Sequence, residues 1–253
     1  MKLKFATLFL MLFSVSVLAT EKLVIAGDNF PPYLDRTAAN YGWAWHIARL
    51  ALEQSQINHQ FEFAPWARVL ESAAQGKRWQ AVFPAYYSAE RAKHFYYSEP
   101  VISTQLGLFK LRKNKDIIFN DDFSSLDGYT IGNCRNCAVR EDFDASTTID
   151  KVVTNNLESG IRMLLAGRID LLVGNYHVSQ AKIVELLKED TSYSLTIEDI
   201  EFMLPVIQEK PLYLAISKQV KGHKELIKRF NKSLKSVKTQ AEVLQIYQLN
   251  EPH

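Results

Sequence analysis

The chain has 253 residues, 47% of them apolar, with 30 basic and 28 acidic side chains and two cysteines. That length gives either one large domain or two small ones, each able to bury a core. The near-balanced charge offers no basic excess for nucleic acid, and beyond the first residues no stretch approaches the roughly 20 apolar residues that a membrane span needs.

The opening "MKLKFATLFLMLFSVSVLA", residues 1–19, combines Lys2 and Lys4, an apolar run from Phe5 to Phe13, and a small-residue cleavage site at Ala19. This is the pattern of a secretory signal peptide. Its removal takes two lysines away and leaves 28 basic against 28 acidic residues, a formally neutral exported protein. No cysteine follows the cleavage site, so a lipid anchor is not indicated.

"KLVIAG" (22–27) alternates as a first strand and runs into "DNFPPY", where two prolines stop regular structure and leave a loop at the strand's end. "WAWHIARLALEQS" spaces Trp43, Ile47, Leu50, Ala51 and Gln54 along one helical face, four of the five apolar. "FEFAP" reads as a short strand, "WARVLESAAQ" as a helix stopped by Gly76, and "WQAVFPA" as a third strand. Strands alternating with helices of this length favour crossover connections in an α/β fold.

From Gly128 the pattern recurs. "YTIGN" and "TIDKVVT" read as strands, "NLESGIRMLLAG" as a helix with Leu157, Ile161, Leu164 and Leu165 on one face, and "RIDLLVGN" as a strand. Cys134 and Cys137 in "CRNC" follow the strand "YTIGN", and in an oxidising compartment a local disulfide or a pair of inert thiols is expected ahead of redox catalysis. "LGLFKLRK" (106–113) and "PLYLAISK" (211–218) are extended, apolar and basic at their ends, as two strands crossing between lobes would be. The chain then closes with the helices "KELIKRFNKSLKSV" and "TQAEVLQIYQL", the first with Leu226, Phe230, Leu234 and Val237 on one face and its lysines in water. These readings divide the mature chain into a first lobe, residues 20–108 with 213–253, and a second lobe, 109–212, hinged around a cleft.

The segments "FPPY", "AERAKHFYYSEP", "LDGYTIG", "LLAGRIDLLVGN" and "KPLYLAISK", in this order, resemble the bacterial extracellular solute-binding proteins of family 3, the periplasmic receptors of amino-acid-type ABC transporters. The resemblance covers essentially the whole mature chain. It implies a type II periplasmic binding protein fold, a periplasmic monomer, a small ligand bearing a carboxylate, and a membrane permease as partner. It implies no cofactor.

Residue by residue, the resemblance assigns Arg91 to the ligand carboxylate, a role the planar guanidinium fork suits on chemical grounds. Phe30 stands where a family aromatic stacks on the ligand, with Tyr33 in the same loop; either ring can instead cover the core. Trp66 and Arg68 form a second candidate pair at a helix start, Arg68 being either a second cation for the ligand or a solvated charge. Tyr86 and Tyr87 replace small polar groups and narrow the pocket. Asn175 takes the place of an acidic residue that holds an α-ammonium, and Asn136 and Cys137 replace a glycine-threonine pair. These departures favour a carboxylate or modified amino acid over a free zwitterion. Asp170 reads as structural.

Two other classes compete. An enzyme on the same fold, similar to cyclohexadienyl dehydratases, needs a cleft carboxylic acid of raised pKa, for which Glu90, Glu99 and Glu141 are available. An orphan sensor would bind ligand and report to a membrane receptor. No metal spacing joins His46, His59, His94, His177, His223 and His253, and no glycine loop cradles phosphate.

Overall fold

The computed structural model describes residues 22–134 and 139–252. The expected signal peptide, Asn136 and Cys137 lie outside the described residues.

Two parallel units share one sheet. In the first, β1 (Leu23–Gly27) lies between β2 (His59–Phe63) and β3 (Ala81–Tyr86), parallel to both. The helix α1 (Trp43–Gln54) connects β1 to β2, and α2 (Trp66–Ala74) connects β2 to β3. A one-turn helix α3 (Ala89–Ala92), β4 (Phe95–Tyr97) and β5 (Ile102–Leu111) follow. In the second unit, β6 (Thr130–Cys134) runs parallel to β7 (Asp150–Thr154) and β8 (Leu171–Asn175), with α4 (Glu141–Ala145) and α5 (Leu157–Leu165) as the connections. Helix α6 (Tyr176–Glu189), the long β9 (Ile200–Ser217), α7 (His223–Val237) and α8 (Ala241–Asn250) complete the described chain.

The strand order is β2-β1-β3-β9-β5-β8-β6-β7, with β4 added to β9. β5 and β9 are antiparallel to each other and run through the middle of the sheet. Ile102 of β5 belongs to the core that holds α1 and α7, whereas Leu106 and Leu108 belong to the core around Phe123 and Phe143. On β9 the change falls between Ile207 and Leu212. This is the two-lobed mixed α/β architecture expected from the sequence.

Most elements read from the sequence are present, and four differ instructively. Helix α1 buries Ala44, Trp45, Ala48 and Leu52 beside Ile47 and Ala51, a wider stripe than the one read, because it is packed between the sheet and α7. In α7 the buried face carries Ile227 with Phe230, Leu234 and Val237, and Leu226 is only half-buried. Helix α6 was not anticipated: it starts directly after Asn175 with no breaker residue, although Tyr176, Ser179, Ile183 and Leu186 are spaced for one buried face. β9 is also far longer than "PLYLAISK", since its first half carries polar residues on the partly exposed side of the sheet.

Gly27 sets the geometry at the top of β1. A Cβ there would fall 1.9 Å from the Phe83 carbonyl oxygen, so only glycine allows β1 to end against β3 and turn into the loop that carries Phe30.

Candidate functional site

A cleft of about 980 Å³ lies between the two lobes. Its walls come from the carboxyl ends of strands: Phe30 after β1, Tyr86 to Arg91 after β3, and Gly174 with Asn175 at the end of β8. Loops there are free of the crossover helices, which is why α/β sheets bind ligands at this edge. Leu106 of β5 and Lys210 of β9 complete its base. Two smaller cavities, of about 500 and 440 Å³, contain none of the side chains expected to meet a ligand.

Arg91 lies half-buried in this cleft on the single turn of α3. Ser88 caps that turn by accepting from the Arg91 backbone N–H at 3.2 Å. The guanidinium donates through Nη1 to the Tyr86 carbonyl oxygen at 3.2 Å and sits 5.6 Å from the Trp66 ring centroid. Neither acidic neighbour takes it: Glu90 is held by Lys93, and Glu99 forms no ion pair with it. Among the described residues no carboxylate lies within ion-pairing distance of Arg91. One fork position is thus fixed by the main chain, and the remaining N–H groups are available to an incoming anion.

A hydrogen-bond chain crosses the cleft base. The Tyr86 hydroxyl is 2.9 Å from Thr104 Oγ1, and Thr104 Oγ1 donates to Asn175 Oδ1 at 3.0 Å. The one Thr104 proton has two acceptors in reach, Asn175 Oδ1 and, at 3.4 Å, the Lys210 carbonyl oxygen, so the Tyr86 O–H is the donor in the first bond. Burial pushes the Tyr86 phenol up to about 12, which keeps that proton in place at neutral pH. Tyr86 comes from the first lobe, Thr104 from the crossing strand and Asn175 from the second lobe.

The expected aromatic residues divide. Phe30 lines the cleft and meets the Tyr86 ring edge-on at 6.2 Å. Tyr87 stands at the rim, 59% exposed, against Tyr97 at 5.2 Å. Tyr33 is a correction: it is fully buried in the first lobe, stacked on Phe30 at 5.7 Å, and its hydroxyl donates to Asn250 Oδ1 at 2.8 Å. Adjacent prolines turn the loop so that Phe30 faces the cleft and Tyr33 faces inward. Trp66 is likewise not on the cleft wall; it supports Arg91 from behind and anchors its helix by donating its backbone N–H to Asp28 at 3.0 Å. Arg68, two residues after Trp66 on α2, is exposed to solvent away from the cleft.

Asp170 is structural, accepting from the backbone N–H and hydroxyl of Thr130, each at 2.8 Å, and so tying β8 to β6. Cys134 ends β6 on the cleft wall, while the partner expected for it, Cys137, is outside the described residues. Sequence reasoning did not place Thr104 or Lys210 at the cleft base, where the structure sets them. The signal for Thr104 is a hydroxyl inside an apolar strand; for Lys210 it is a lysine immediately before the proline that opened the expected strand.

Among the described residues no helix is long and apolar enough to cross a membrane, and no cluster of three metal-ligating side chains occurs. No curated protein matches the chain. Solved structures do. The second substrate-binding domain of Lactococcus lactis GlnP, in an open conformation, superposes with a TM-score of 0.66 at 16% identity, covering 90% of this chain and 94% of that one. A histidine kinase sensor domain with similarity to periplasmic binding proteins gives 0.63 at 19% identity, covering 90% and 95%. The amino-acid transporter binding protein AbpA of Streptococcus pneumoniae, bound to L-arginine, gives 0.62 at 17%, covering 90% and 94%. At these identities the likeness establishes the fold. The family description "Bacterial extracellular solute-binding proteins, family 3" matches residues 23–249, nearly the whole described chain, and the protein therefore belongs to that family.

Proposed function

We propose that the protein is a periplasmic receptor that captures a small carboxylate-bearing ligand, an amino acid or a related compound, and delivers it to an ABC transporter permease. The first lobe, residues 20–108 with 213–253, takes the ligand through Arg91, with Phe30 and Tyr86 against its apolar body. The second lobe, 109–212, then closes over it as β5 and β9 flex, driven by the ligand's higher affinity for the closed form. The observation that carries this reading is the Arg91 guanidinium, half-buried in the cleft, backed by Trp66, and without a carboxylate among the described residues. Solved relatives in fold include an arginine-bound transporter component.

Titration calorimetry of the mature protein against a panel of amino acids and organic acids tests the reading. Micromolar or tighter binding to at least one member is expected, with Arg91→Ala weakening it by roughly 10- to 100-fold, as the loss of charge-assisted hydrogen bonds predicts. A folded protein that binds no member of the panel would sink it.

The sensor reading draws on the likeness to a histidine kinase sensor domain. It shares the same ligand step and differs only in the membrane partner, which crosslinking to a co-expressed permease distinguishes. The enzyme reading has less support. Glu90, Glu99 and Glu141 are all exposed and off the cleft wall, and Lys93 beside Glu90 lowers that carboxyl's pKa, the reverse of what an acid catalyst needs.

A further inference from the structure

Beside Arg91 stand three tyrosines whose placement a carboxylate grip alone does not require. Tyr213 is opposed to Ala85 in the β3–β9 ladder, and Tyr97 is opposed to Ala215 in the β4–β9 ladder. Opposed residues project from one face of a sheet, and residues two apart on a strand share that face. Both rings therefore lie on the same face, where the small, buried Ala85 and Ala215 leave them room. The Tyr97 and Tyr213 rings meet edge to face at 5.7 Å, and Tyr87, from the loop after β3, packs against Tyr97 at 5.2 Å.

This group is tied to the guanidinium. The Tyr97 hydroxyl donates to the Tyr86 carbonyl oxygen at 3.5 Å, the same atom that accepts from Arg91 Nη1 at 3.2 Å. A carbonyl oxygen has two lone pairs, so both bonds form together and hold the rings next to Arg91. The tyrosines around the cleft then divide by what their hydroxyls do. Tyr33, Tyr86 and Tyr97 donate to Asn250, Thr104 and the Tyr86 carbonyl. Tyr87 and Tyr213 line the cleft, and neither hydroxyl has a hydrogen-bond partner among the described residues. Tyr87 is 59% exposed and Tyr213 is half-buried. Rings braced by protein on one side and wet on the other offer large apolar area at a small ordering cost. The cleft of about 980 Å³ has room for a ring beyond the carboxylate.

Resting on the reading of Arg91 as the carboxylate anchor, we propose that Tyr87 and Tyr213, braced by Tyr97, form a stacking subsite, and that the receptor selects aryl carboxylates, acids whose carboxylate stands a few bonds from an aromatic ring. Arg91 takes the carboxylate, and the ring lies against Tyr87 and Tyr213 with Pro211 beside them. The quadrupoles of the two tyrosines favour a further aromatic ring over a saturated ring of the same size.

The experiment is calorimetric titration of the full mature protein with acids matched in size and charge: phenylacetate against cyclohexylacetate, 3-phenylpropionate against 3-cyclohexylpropionate, and L-phenylalanine against L-cyclohexylalanine, with glucuronate as a ring acid that is not aromatic. At least one aryl member is expected to bind fivefold or more tightly than its saturated partner and than glucuronate. Tyr87→Leu combined with Tyr213→Leu should reduce that preference to twofold or less, and Tyr87→Phe with Tyr213→Phe should retain it. Tyr41→Leu, at an exposed tyrosine outside the cleft, should leave it unchanged. Circular dichroism verifies folding; if the double leucine variant does not fold, Tyr87→Leu alone, at the more exposed ring, should at least halve the preference. Saturated partners or glucuronate bound as tightly as the aryl acids, or a preference that survives these leucine substitutions, overturns the proposal and leaves the Arg91 reading standing. If no matched pair binds, this proposal falls, and the Arg91 reading falls only if the wider panel of amino acids and organic acids is silent too.

Discussion

Ser103 and Thr104 are neighbours on β5, and each joins distant parts of the chain, Thr104 through its side chain and Ser103 through its main-chain carbonyl. At the front, Thr104 links Tyr86 and Asn175 beside an open cleft. At the back, the Ser103 carbonyl accepts from Asn250 Nδ2 at 2.9 Å, Asn250 Oδ1 accepts from Tyr33, and the Asn250 carbonyl lies 3.1 Å from His177 Nε2. Both networks connect the two lobes through β5. The front one ends in groups that have hydrogen-bonding capacity to spare for a ligand. The back one is closed: Asn250 and Tyr33 are buried, and the amide uses both ends on protein partners. Similar polar chemistry thus borders an open cleft at one place and is sealed from solvent at the other.

The largest expected effect is at the back. Asn250→Ala strips the partners from a buried phenol and a carbonyl, each worth about 1–3 kcal/mol when left unsatisfied, so a loss of roughly 2–4 kcal/mol is expected in urea denaturation. Asn175→Ala, at the front, should cost under about 1.5 kcal/mol because the buried Thr104 hydroxyl keeps a second acceptor in the Lys210 carbonyl oxygen at 3.4 Å. Equal losses at the two sites would break the comparison.

Next in size is a pair of tyrosines that differ in the same way. Tyr33→Phe leaves Asn250 Oδ1 buried without a donor and should destabilise by about 1–3 kcal/mol while leaving ligand affinity within twofold. Tyr86→Phe should reverse the pattern, with little change in the denaturation midpoint and a several-fold change in affinity by calorimetry.

Alkaline pH separates them more finely. Burial raises Tyr86 to about 12 and Tyr33 further still, against an ordinary phenol near 10. The folded state therefore holds protons that the unfolded chain releases, and the stability this contributes is complete below about pH 10 and declines as pH rises through 12. Denaturation midpoints measured from pH 9 to 12 should fall, with the slope reduced more by Tyr33→Phe than by Tyr86→Phe.

The smallest effects concern the support of Arg91. Trp66→Leu removes a cation–π contact worth about 0.5–1 kcal/mol at a partly exposed site, a two- to fivefold loss of affinity. Arg68→Ala, on the solvent side of the same helix, should change affinity less than twofold. A larger loss at Arg68 than at Trp66 would reverse the assignment of that pair.

Much of this molecule is legible in its residues. The alternation of β-branched strands with amphipathic helices, the glycine stops and the repeated order of elements identify an α/β fold, because hydrophobic period and turn chemistry are local properties. Arg91 is legible as a candidate anchor for a similar reason, since few residue types suit a carboxylate and its segment has a recognisable setting, and the structure sets it in the cleft wall. Local pattern misled where one residue's direction depends on its neighbours in space. Phe30 and Tyr33 are three residues apart in one loop, and only the turn between them sends one ring to the cleft and the other to Asn250, 217 residues away in sequence.

The sequence by itself determined the class of fold, the main elements and the residue best suited to hold an anion. The tertiary structure decided what lies across from it. Thr104 and Lys210 come together because β5 and β9 pair in one register, and the Asn175 amide is oriented by a hydroxyl from a strand that the sequence places 71 residues earlier. Strand register and long-range hydrogen bonds are set by the packing of both lobes at once, and no local stretch of the chain contains that information.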